Sequence, residues 1–208
     1  MTERHAPTTT AEPPEDAGPR TKAKILVVQA HPYPDRSRAN RALGRAIEGL
    51  PAVEIRSLYD LYPDFSIDVD EEQRALAACE TVVWQHPIYW YSAPALMKLW
   101  FEKVLTVGWA YGKDGTALAG KKCLWVTTTG GDEEAYSTRG MHGYPFEAFE
   151  PVIRQTAVFC GMIWLPPIIL HHAHHVTTAA LETEGRRYRA RLQALLAERA
   201  APEGGRDV

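Results

Sequence analysis

The sequence predicts a three-layer α/β domain built around a parallel sheet. Apolar, β-branched runs alternate along the chain with helical segments, the pattern of parallel strands joined by right-handed helical crossovers. Five runs predict strands, at residues 24–30, 53–58, 81–84, 122–127 and 162–170. The 208 residues suffice for one domain with a sizeable hydrophobic core.

The strands differ in their expected environments. Residues 24–30 are almost continuously apolar, which is typical of a strand buried on both faces. Residues 53–58 alternate between apolar and polar side chains and therefore predict a more exposed strand. The last strand contains Pro166 and Pro167, which lack a backbone N–H, so we expect an edge or bulged strand.

Helices are predicted at residues 38–50, 68–78, 95–105, 146–160 and 179–200. Ser37 can cap the first of these, and either Asp68 or Asp70 can cap the second. The helix at residues 95–105 carries few charges, and a helix that is apolar nearly all round must be covered on several sides. This favours burial at a subunit interface, with a central core helix as the alternative.

Composition narrows the possible functions. The net charge of −3 gives no electrostatic reason to expect nucleic-acid binding. Three scattered cysteines without a CxxC pair argue against a disulfide framework and favour a reducing, cytoplasmic location. No apolar run approaches the roughly 20 residues of a transmembrane helix.

The chain ends differ in composition from its centre. Residues 1–22 are rich in Thr, Pro, Glu and Ala and lack the apolar core of a secretory signal, so we expect a disordered extension. Residues 201–208 are expected to form a frayed tail. One folded domain is therefore expected at residues 23–200.

The first candidate binding segment follows the first strand, at residues 31–40. A loop that runs into a helix N-terminus offers free backbone N–H groups and a favourable dipole for a phosphate. Ser37 can add a hydroxyl, Asn40 an amide, and Arg36 or Arg38 a positive charge. The segment lacks the GxGxxG fingerprint of dinucleotide-binding folds. An ordinary capped loop is the alternative.

The second candidate segment follows the third strand. Tyr89, Trp90 and Tyr91 are three adjacent aromatic residues on the loop after Pro87. Ligands of open α/β sheets bind at the carboxyl ends of the strands. Three large aromatic side chains there favour a flat, apolar ligand such as a flavin ring. Aromatic packing in the core or at an interface is the alternative.

The third candidate segment follows the fourth strand. Thr128 and Thr129 offer short polar side chains, and the two glycines that follow allow close backbone approach to a ligand. Tyr136 and His142 are donors that could meet negative charge on a ring. A glycine turn with a surface Tyr and His is the alternative. Three such segments at neighbouring strand ends together favour one ligand site.

Two further clusters are open to more than one interpretation. His171, His172, His174 and His175 suggest metal binding, but alternate residues of an extended segment point to opposite faces, so we expect no metal site. The arginines of residues 186–191 are expected to form a solvated helix face. A docking surface for a partner or an anionic membrane is the alternative.

With these residues identified, the chain resembles the flavodoxin-like NAD(P)H:quinone oxidoreductases over residues 24–196. The resemblance is carried by His31-Pro32 with Ser37, by the segment from Pro87 to Pro94, by residues 108–112, and by Thr128-Thr129-Gly130-Gly131 with Tyr136 and His142. Residues 57–65 and 164–167 are most similar to the branch formed by the ancillary flavoproteins of glutathione-gated (Kef-type) potassium efflux systems. The extension at residues 1–22 departs from that branch.

The resemblance implies a fold, a cofactor and an assembly. It implies a five-stranded flavodoxin-like sheet of order 2-1-3-4-5 and a homodimer with two sites at its interface. It also implies FMN or FAD. We favour FMN because the sequence shows only one phosphate-type loop.

The resemblance also implies roles for individual residues. The flavin phosphate would be held by His31, Ser37 and Asn40. The flavin ring would be flanked by Pro87, Ile88, Tyr89, Trp90 and Tyr91. Its polar edge would be bound by Thr128, Thr129, Gly130 and Gly131. The catalytic residues would be Tyr136 and His142, which stabilise the reduced flavin and orient the acceptor.

The implied activity is the two-electron, ping-pong reduction of quinones or other electrophiles by NADH or NADPH. The implied partner is a membrane potassium/proton antiporter, which would place this cytoplasmic protein at the inner face of the cell membrane. The alternative is a primarily regulatory flavoprotein subunit of an efflux system with little turnover of its own.

Overall fold

The computed structural model describes residues 24–198. The predicted extension at residues 1–22 and the predicted tail at residues 201–208 lie outside this range. The strands are β1 (Ile25–Gln29), β2 (Val53–Ser57), β3 (Thr81–Pro87), β4 (Lys122–Thr128), β5 (Ile163–Trp164) and β6 (Ile168–Leu170). The helices are α1 (Arg38–Ile47), α2 (Leu58–Leu61), α3 (Val69–Ala78), α4 (Ala95–Val104), α5 (Glu150–Phe159) and α6 (Thr178–Ala197).

The strands form one parallel sheet of order β2-β1-β3-β4-β5, which confirms the predicted flavodoxin-like topology. The fifth position is shared by two short strands. β5 pairs with the start of β4, and β6 pairs with its end. The break between them contains Pro166 and Pro167, so the expectation of an interrupted last strand is confirmed.

Helices cover both faces of the sheet. On one face, α1 and α6 pack together over a core that contains Leu43 and Tyr188. On the other face, α3, α4 and α5 cover a core that contains Trp84 and Trp125. Every residue of β3 is buried, because this central strand is covered on both sides.

Several helix ends differ from the sequence prediction. α1 ends at Ile47 instead of residue 50, and Gly49 follows with a φ of 69°, the left-handed conformation that terminates helices. Asp68, and not Asp70, caps α3 by accepting a hydrogen bond from the Glu71 N–H. Residues 146–148 form a separate 3-10 helix, and α5 begins only at Glu150.

The apolar helix α4 is largely a core helix. Its large apolar side chains that are buried within the chain are those of Leu96, Met97, Trp100, Phe101 and Val104. Its charged residues Lys98, Glu102 and Lys103 are exposed. The core-helix alternative therefore accounts for most of its apolar character, and the case for a subunit interface has to rest on other residues.

One carboxylate links four elements beneath the sheet edge. Glu72 on α3 is completely buried. It accepts hydrogen bonds from Arg56 Nε on β2 at 2.8 Å, from the Tyr62 hydroxyl at 2.7 Å and from Trp100 Nε1 on α4 at 2.8 Å. A buried charge is tolerated only when it is paired and hydrogen-bonded in this way.

The network also changes the titration of its members. Burial would lower the pKa of Arg56, but the hydrogen bond and charge of Glu72 outweigh it, and the pKa is raised. Burial and the hydrogen bond to Glu72 raise the pKa of Tyr62 to about 12. Arg56 therefore stays charged and Tyr62 stays a protonated donor at neutral pH.

We expect Glu72→Ala to lower the free energy of unfolding by about 3–5 kcal/mol, because the buried Arg56 loses its nearest and fully buried carboxylate and keeps only the partly exposed Glu54 and Glu71. The measurement is urea unfolding followed by circular dichroism. Glu102→Ala is the matched control, since Glu102 is exposed and pairs with the exposed Lys98 on α4 at 3.9 Å, outside this network. Its cost should stay within about 1 kcal/mol. Equal losses in the two variants would contradict the role assigned to Glu72.

Candidate functional site

The carboxyl end of β1 leads directly into the N-terminus of α1. A 3-10 helix at Pro34–Arg36 precedes the cap residue Ser37, whose hydroxyl accepts a hydrogen bond from the Asn40 N–H at 3.2 Å. The backbone N–H groups of Arg38 and Ala39, the first two residues of α1, have no acceptor within the helix. They provide the partial positive charge of a helix N-terminus.

Asn40 is held from two sides. Its Nδ2 donates to Thr128 Oγ1 on β4 at 2.9 Å, and its carbonyl accepts from Gln85 Nε2 on β3 at 3.2 Å. Gln85 in turn accepts from the Tyr188 hydroxyl of α6 at 3.2 Å. The Asn40 Oδ1 atom is buried and has no hydrogen-bond partner within residues 24–198. The site therefore holds an acceptor that is positioned but unused.

A pocket of about 370 Å³ opens at this edge of the sheet. This volume lies within the usual range for sites that hold small molecules and cofactors. Nine of the residues predicted to bind a cofactor line it: His31, Ser37, Asn40, Pro87, Ile88, Tyr89, Thr128, Thr129 and Gly130. The structure thus brings residues from all three candidate segments around one cavity.

His31 has a defined hydrogen-bonding role at this pocket. The Tyr33 N–H donates to His31 Nδ1 at 3.1 Å, so the proton of the neutral ring lies on Nε2. Burial lowers the pKa of His31, the hydrogen bond from Tyr33 partly offsets this, and His174 lowers the pKa further. At neutral pH the ring is therefore a neutral donor through Nε2.

The aromatic segment forms a tight turn. The N–H groups of Tyr89 and Ser92 each donate to the other residue's carbonyl at 3.0 Å. The two central residues, Trp90 and Tyr91, have φ values of 49° and 63°. Left-handed backbone costs a non-glycine residue of order 1–3 kcal/mol, and such strain is concentrated at functional sites.

The turn sends its three aromatic side chains in different directions. Tyr89 lines the pocket, whereas the Trp90 side chain is 93% exposed. Tyr91 stacks on Phe149 with ring centroids 5.2 Å apart. The three adjacent aromatic side chains therefore point in separate directions, because a two-residue turn reverses the chain between them.

Tyr136 and His142 lie together but outside the pocket lining. Their ring centroids are 4.2 Å apart, and His142 Nδ1 lies 3.4 Å from the Tyr91 hydroxyl. A Cβ added to Gly131 would meet His142 Nε2 at 3.0 Å and Tyr136 Cε2 at 3.3 Å. The absence of a side chain at Gly131 therefore favours this close packing, and Gly131 connects the aromatic cluster with the Thr-Gly edge of the pocket.

This aromatic cluster has the chemistry of a proton donor site. Burial raises the pKa of Tyr136, and the neighbouring Tyr91 raises it further, so the hydroxyl remains protonated and can donate. His142 Nε2 is buried and has no partner within the described part of the chain. Two polar groups thus converge beside the glycine edge without being consumed by internal hydrogen bonds.

Sequence reasoning missed two histidines at the site. His174 lines the pocket, and His171 Nδ1 lies 3.0 Å from Thr129 Oγ1. Thr129 uses its hydroxyl proton for the Gly131 carbonyl at 2.6 Å, so His171 is the donor in this pair. The signal was available, because both residues follow the last strand at its carboxyl end.

The histidine segment is a turn instead of the extended chain assumed from the sequence. His172 has a φ of 56°, and its ring centroid lies 4.4 Å from that of His175. Within residues 24–198, no three His, Cys, Asp or Glu side chains converge in a metal-binding arrangement.

Buried His86 supports the pocket from behind. Its Nε2 accepts from Trp125 Nε1 at 3.0 Å, and its Nδ1 lies 2.9 Å from the Pro87 carbonyl, to which it donates. Burial lowers the pKa of His86 to about 4. The neutral ring therefore fixes the end of β3, from which Pro87 and Ile88 enter the pocket wall.

Comparison with known proteins agrees with this geometry. A family model described as flavodoxin-like fold matches residues 23–192. The chain belongs to this family. The sheet order and the site at the carboxyl ends of its strands are those of a flavodoxin-like fold.

Relatives within the family are closely similar. The glutathione-regulated potassium-efflux system ancillary protein KefF of Klebsiella aerogenes is 50% identical over 168 residues, which is 81% of this chain and 94% of that protein. The predicted resemblance to the Kef-type branch is thereby confirmed.

Two solved structures are also similar to this chain in sequence and fold. The general stress protein 14 of Treponema denticola, in complex with FMN, is 34% identical, has a TM-score of 0.77 and covers 83% of this chain and 99% of that one. An NADPH-quinone reductase from P. pentosaceus is 27% identical, has a TM-score of 0.73 and covers 81% of this chain and 96% of that one.

None of the helices at residues 24–198 combines the length and the apolar character of a membrane span.

His86 should make stability depend on pH. Its pKa is about 4 in the folded protein and about 6.5 in the unfolded chain, so below pH 6.5 the unfolded state takes up the extra proton. The free energy of unfolding should therefore fall by roughly 3 kcal/mol between pH 6.5 and 4 on account of this residue. His86→Gln should flatten that part of the profile in urea unfolding experiments. An unchanged profile would contradict the assignment.

Proposed function

We propose that this protein is a flavin-dependent NAD(P)H:quinone oxidoreductase that also acts as an ancillary subunit of a potassium efflux system. The observation that carries the proposal is the pocket of about 370 Å³ at the carboxyl edge of the sheet, which residues of all three candidate segments line. One end of this pocket is a helix N-terminus, and the other is the Thr-Gly edge. The similarity to a structure in complex with FMN and to an NADPH-quinone reductase supports it.

The pocket residues fit a flavin mononucleotide. The N-terminus of α1, with Ser37 and the Nε2–H of His31, suits the phosphate. The unpaired Oδ1 of Asn40 requires a donor, which a hydroxyl of the sugar-like chain of FMN supplies and a phosphate does not. We therefore assign Asn40 to the boundary between phosphate and chain.

The ring would lie across the carboxyl ends of β3 and β4. Its flanks would be formed by Pro87, Ile88 and Tyr89, with Trp90 and Tyr91 beyond them. Its polar edge would be bound by Thr128, Thr129, Gly130 and Gly131. The strained Trp90–Tyr91 turn and the nearly full exposure of Trp90 are consistent with a role in contacts outside the chain.

A bound flavin would supply the chemistry of hydride transfer between NAD(P)H and a quinone. The protein contributes position and charge stabilisation. Tyr136, kept protonated by its raised pKa, would donate toward negative charge at the ring or at the acceptor oxygen. His142 packs on Tyr136 and would orient the acceptor. His171 would hold Thr129 in place through their hydrogen bond.

The cofactor proposed is FMN, with FAD as the second candidate. One phosphate-type segment lines the pocket, as expected for a mononucleotide. The proposal leaves NADH and NADPH as alternative electron donors.

A second candidate function is regulation with little turnover. The relative that is 50% identical bears the name of an ancillary protein of a potassium-efflux system. On this basis, the proposed partner is a membrane potassium/proton antiporter. The protein would then be cytoplasmic and peripheral to the membrane through that partner.

A homodimer is part of the proposal, as the family resemblance implies. Support comes from two exposed apolar side chains on one face of α5, Val152 and Phe159, which are seven residues apart. Phe159 is 63% exposed and lies 5.0 Å from the ring of Tyr111, measured between centroids. Exposed apolar patches of this kind mark protein interfaces.

We expect the purified protein to carry FMN and to reduce quinones with NAD(P)H. Tyr136→Phe with His142→Ala should lower kcat on the order of a hundredfold while flavin content stays unchanged, because the donors act on the reacting edge and not on the phosphate. The measurements are flavin extraction and steady-state turnover. Tyr144→Phe, which alters an exposed tyrosine outside the pocket lining, is the control. A purified protein that takes up neither FMN nor FAD would contradict the enzyme assignment. A flavin-loaded wild-type protein that does not reduce quinones would favour the regulatory role.

We expect Phe159→Glu to convert the dimer into a monomer, because it places a charge in the apolar surface of α5. Analytical ultracentrifugation at micromolar concentration is the measurement. Leu61→Glu introduces the same charge at an exposed leucine of α2 and should leave the dimer intact. A monomeric wild-type protein would contradict the proposed assembly.

A further inference from the structure

A second cavity lies between α1 and α6 and adjoins the proposed flavin pocket, with which it shares Arg36 and Arg38. This groove has a volume of about 740 Å³. Its lining includes the small residues Ala42, Ala46 and Gly185. A Cβ added to Gly185 would meet the Cβ of Ala46 at 2.9 Å, so glycine is what allows the two helices to approach closely here.

Arginine side chains dominate this groove. Six line it: Arg36, Arg38, Arg41, Arg45, Arg186 and Arg189. The acidic lining residues are Asp35 and Glu182. Within residues 24–198, none of the six arginines forms a salt bridge, whereas Arg187, next in sequence to Arg186 but outside the groove, pairs with Glu184 at 3.5 Å. The groove thus holds an excess of positive charge, six arginines against two carboxylates.

Neutral acceptors hold several of these side chains in position. Arg38 donates to the Val176 carbonyl at 2.6 Å and to Thr178 Oγ1 at 3.1 Å. Arg189 donates to the Ala46 carbonyl at 2.8 Å, and Arg41 donates to the Asp35 carbonyl at 2.9 Å. These contacts orient the guanidinium groups without neutralising them, so less conformational entropy is lost when an anion binds.

The arrangement of the charges suits an extended acidic chain. Arg38, Arg41 and Arg45 follow one side of α1 at spacings of three and four residues, over about 10 Å along the helix. Arg186 and Arg189 have the same type of spacing on α6, the other helix of the groove. Charges distributed over this length and on both walls exceed what one phosphate contacts, and they match the repeated charges of an extended chain.

We propose that the groove between α1 and α6 is the docking site for an extended, carboxylate-rich polypeptide segment of a partner protein. Planar, bidentate guanidinium groups are suited to carboxylates. The proposal rests on the ancillary role proposed above, and it assigns to that role a surface distinct from the proposed interface on α5. Of the arginines at residues 186–191, the proposal assigns a docking role to Arg186 and Arg189, the two that line the groove.

The test uses the flavin-loaded, full-length protein and a fluorescently labelled peptide of ten glutamates, with a peptide of ten lysines as the charge control. Binding is measured by fluorescence anisotropy at several salt concentrations. Arg186→Glu and Arg45→Glu should each weaken binding about fivefold, as expected for the loss of a partly exposed ion pair. Arg187→Glu is the matched control, because it makes the same charge change at the adjacent exposed residue outside the groove, and it should have a much smaller effect.

Arg36 and Arg38 are left unchanged because they also line the proposed flavin pocket. Flavin content and quinone turnover are measured in every variant and should equal those of the wild type. Unchanged turnover with lost peptide binding supports the docking site. Unchanged turnover with unchanged peptide binding overturns it while leaving the enzyme assignment intact, so the two proposals fail separately.

Other outcomes also count against the docking site. Equal weakening by Arg187→Glu would show diffuse attraction instead of a groove. Binding to phosphatidylglycerol vesicles without binding to the peptide would indicate a membrane surface. Displacement of the peptide by FAD but not by FMN, together with extraction of FAD from the protein, would assign the groove to the adenylate part of the cofactor.

Discussion

The parallel pairing of β3 between β1 and β4 is the constraint on which the rest of the structure depends. Seven residues of β3 pair in register with β4, and five pair with β1. Parallel pairing places the carboxyl ends of all three strands at one edge, and the chain order reverses there. The loop before α1, the aromatic turn and the Thr-Gly segment thereby become neighbours, although up to about a hundred residues separate them in sequence.

Buried polar side chains then fix the fine geometry of that edge. Gln85 holds α1 through Asn40 and α6 through Tyr188, while His86 holds Trp125 and the Pro87 carbonyl. Each such group lies in a low-dielectric core, where an unsatisfied donor or acceptor is costly. Because their bonding is directional, these side chains hold the strand ends more rigidly than apolar packing alone.

Local sequence patterns predicted some features of the candidate site and not others. The phosphate-type segment could be predicted from the sequence, because Ser37 both caps α1 and precedes its free N–H groups. The separate directions of the side chains of Tyr89, Trp90 and Tyr91 could not be predicted, because they depend on the left-handed backbone of Trp90 and Tyr91. Likewise His171 and His174 were recognised only as a possible metal cluster, because their turn depends on contacts with the segment after β4.

The sequence alone determined the fold class and the positions of the strands, because hydrophobic periodicity and capping residues act over a few neighbouring positions. The family and most of the residues that line the pocket followed from the resemblance carried by its ordered motifs. Only the tertiary structure decided that α4 is chiefly a core helix, that Glu72 joins β2, α2–α3 and α4, and that six arginines from two distant segments share one groove. These features arise from side chains that meet across long sequence separations. Such long-range contacts cannot be deduced from hydrophobic periodicity, because they depend on how the helical layers pack against the sheet.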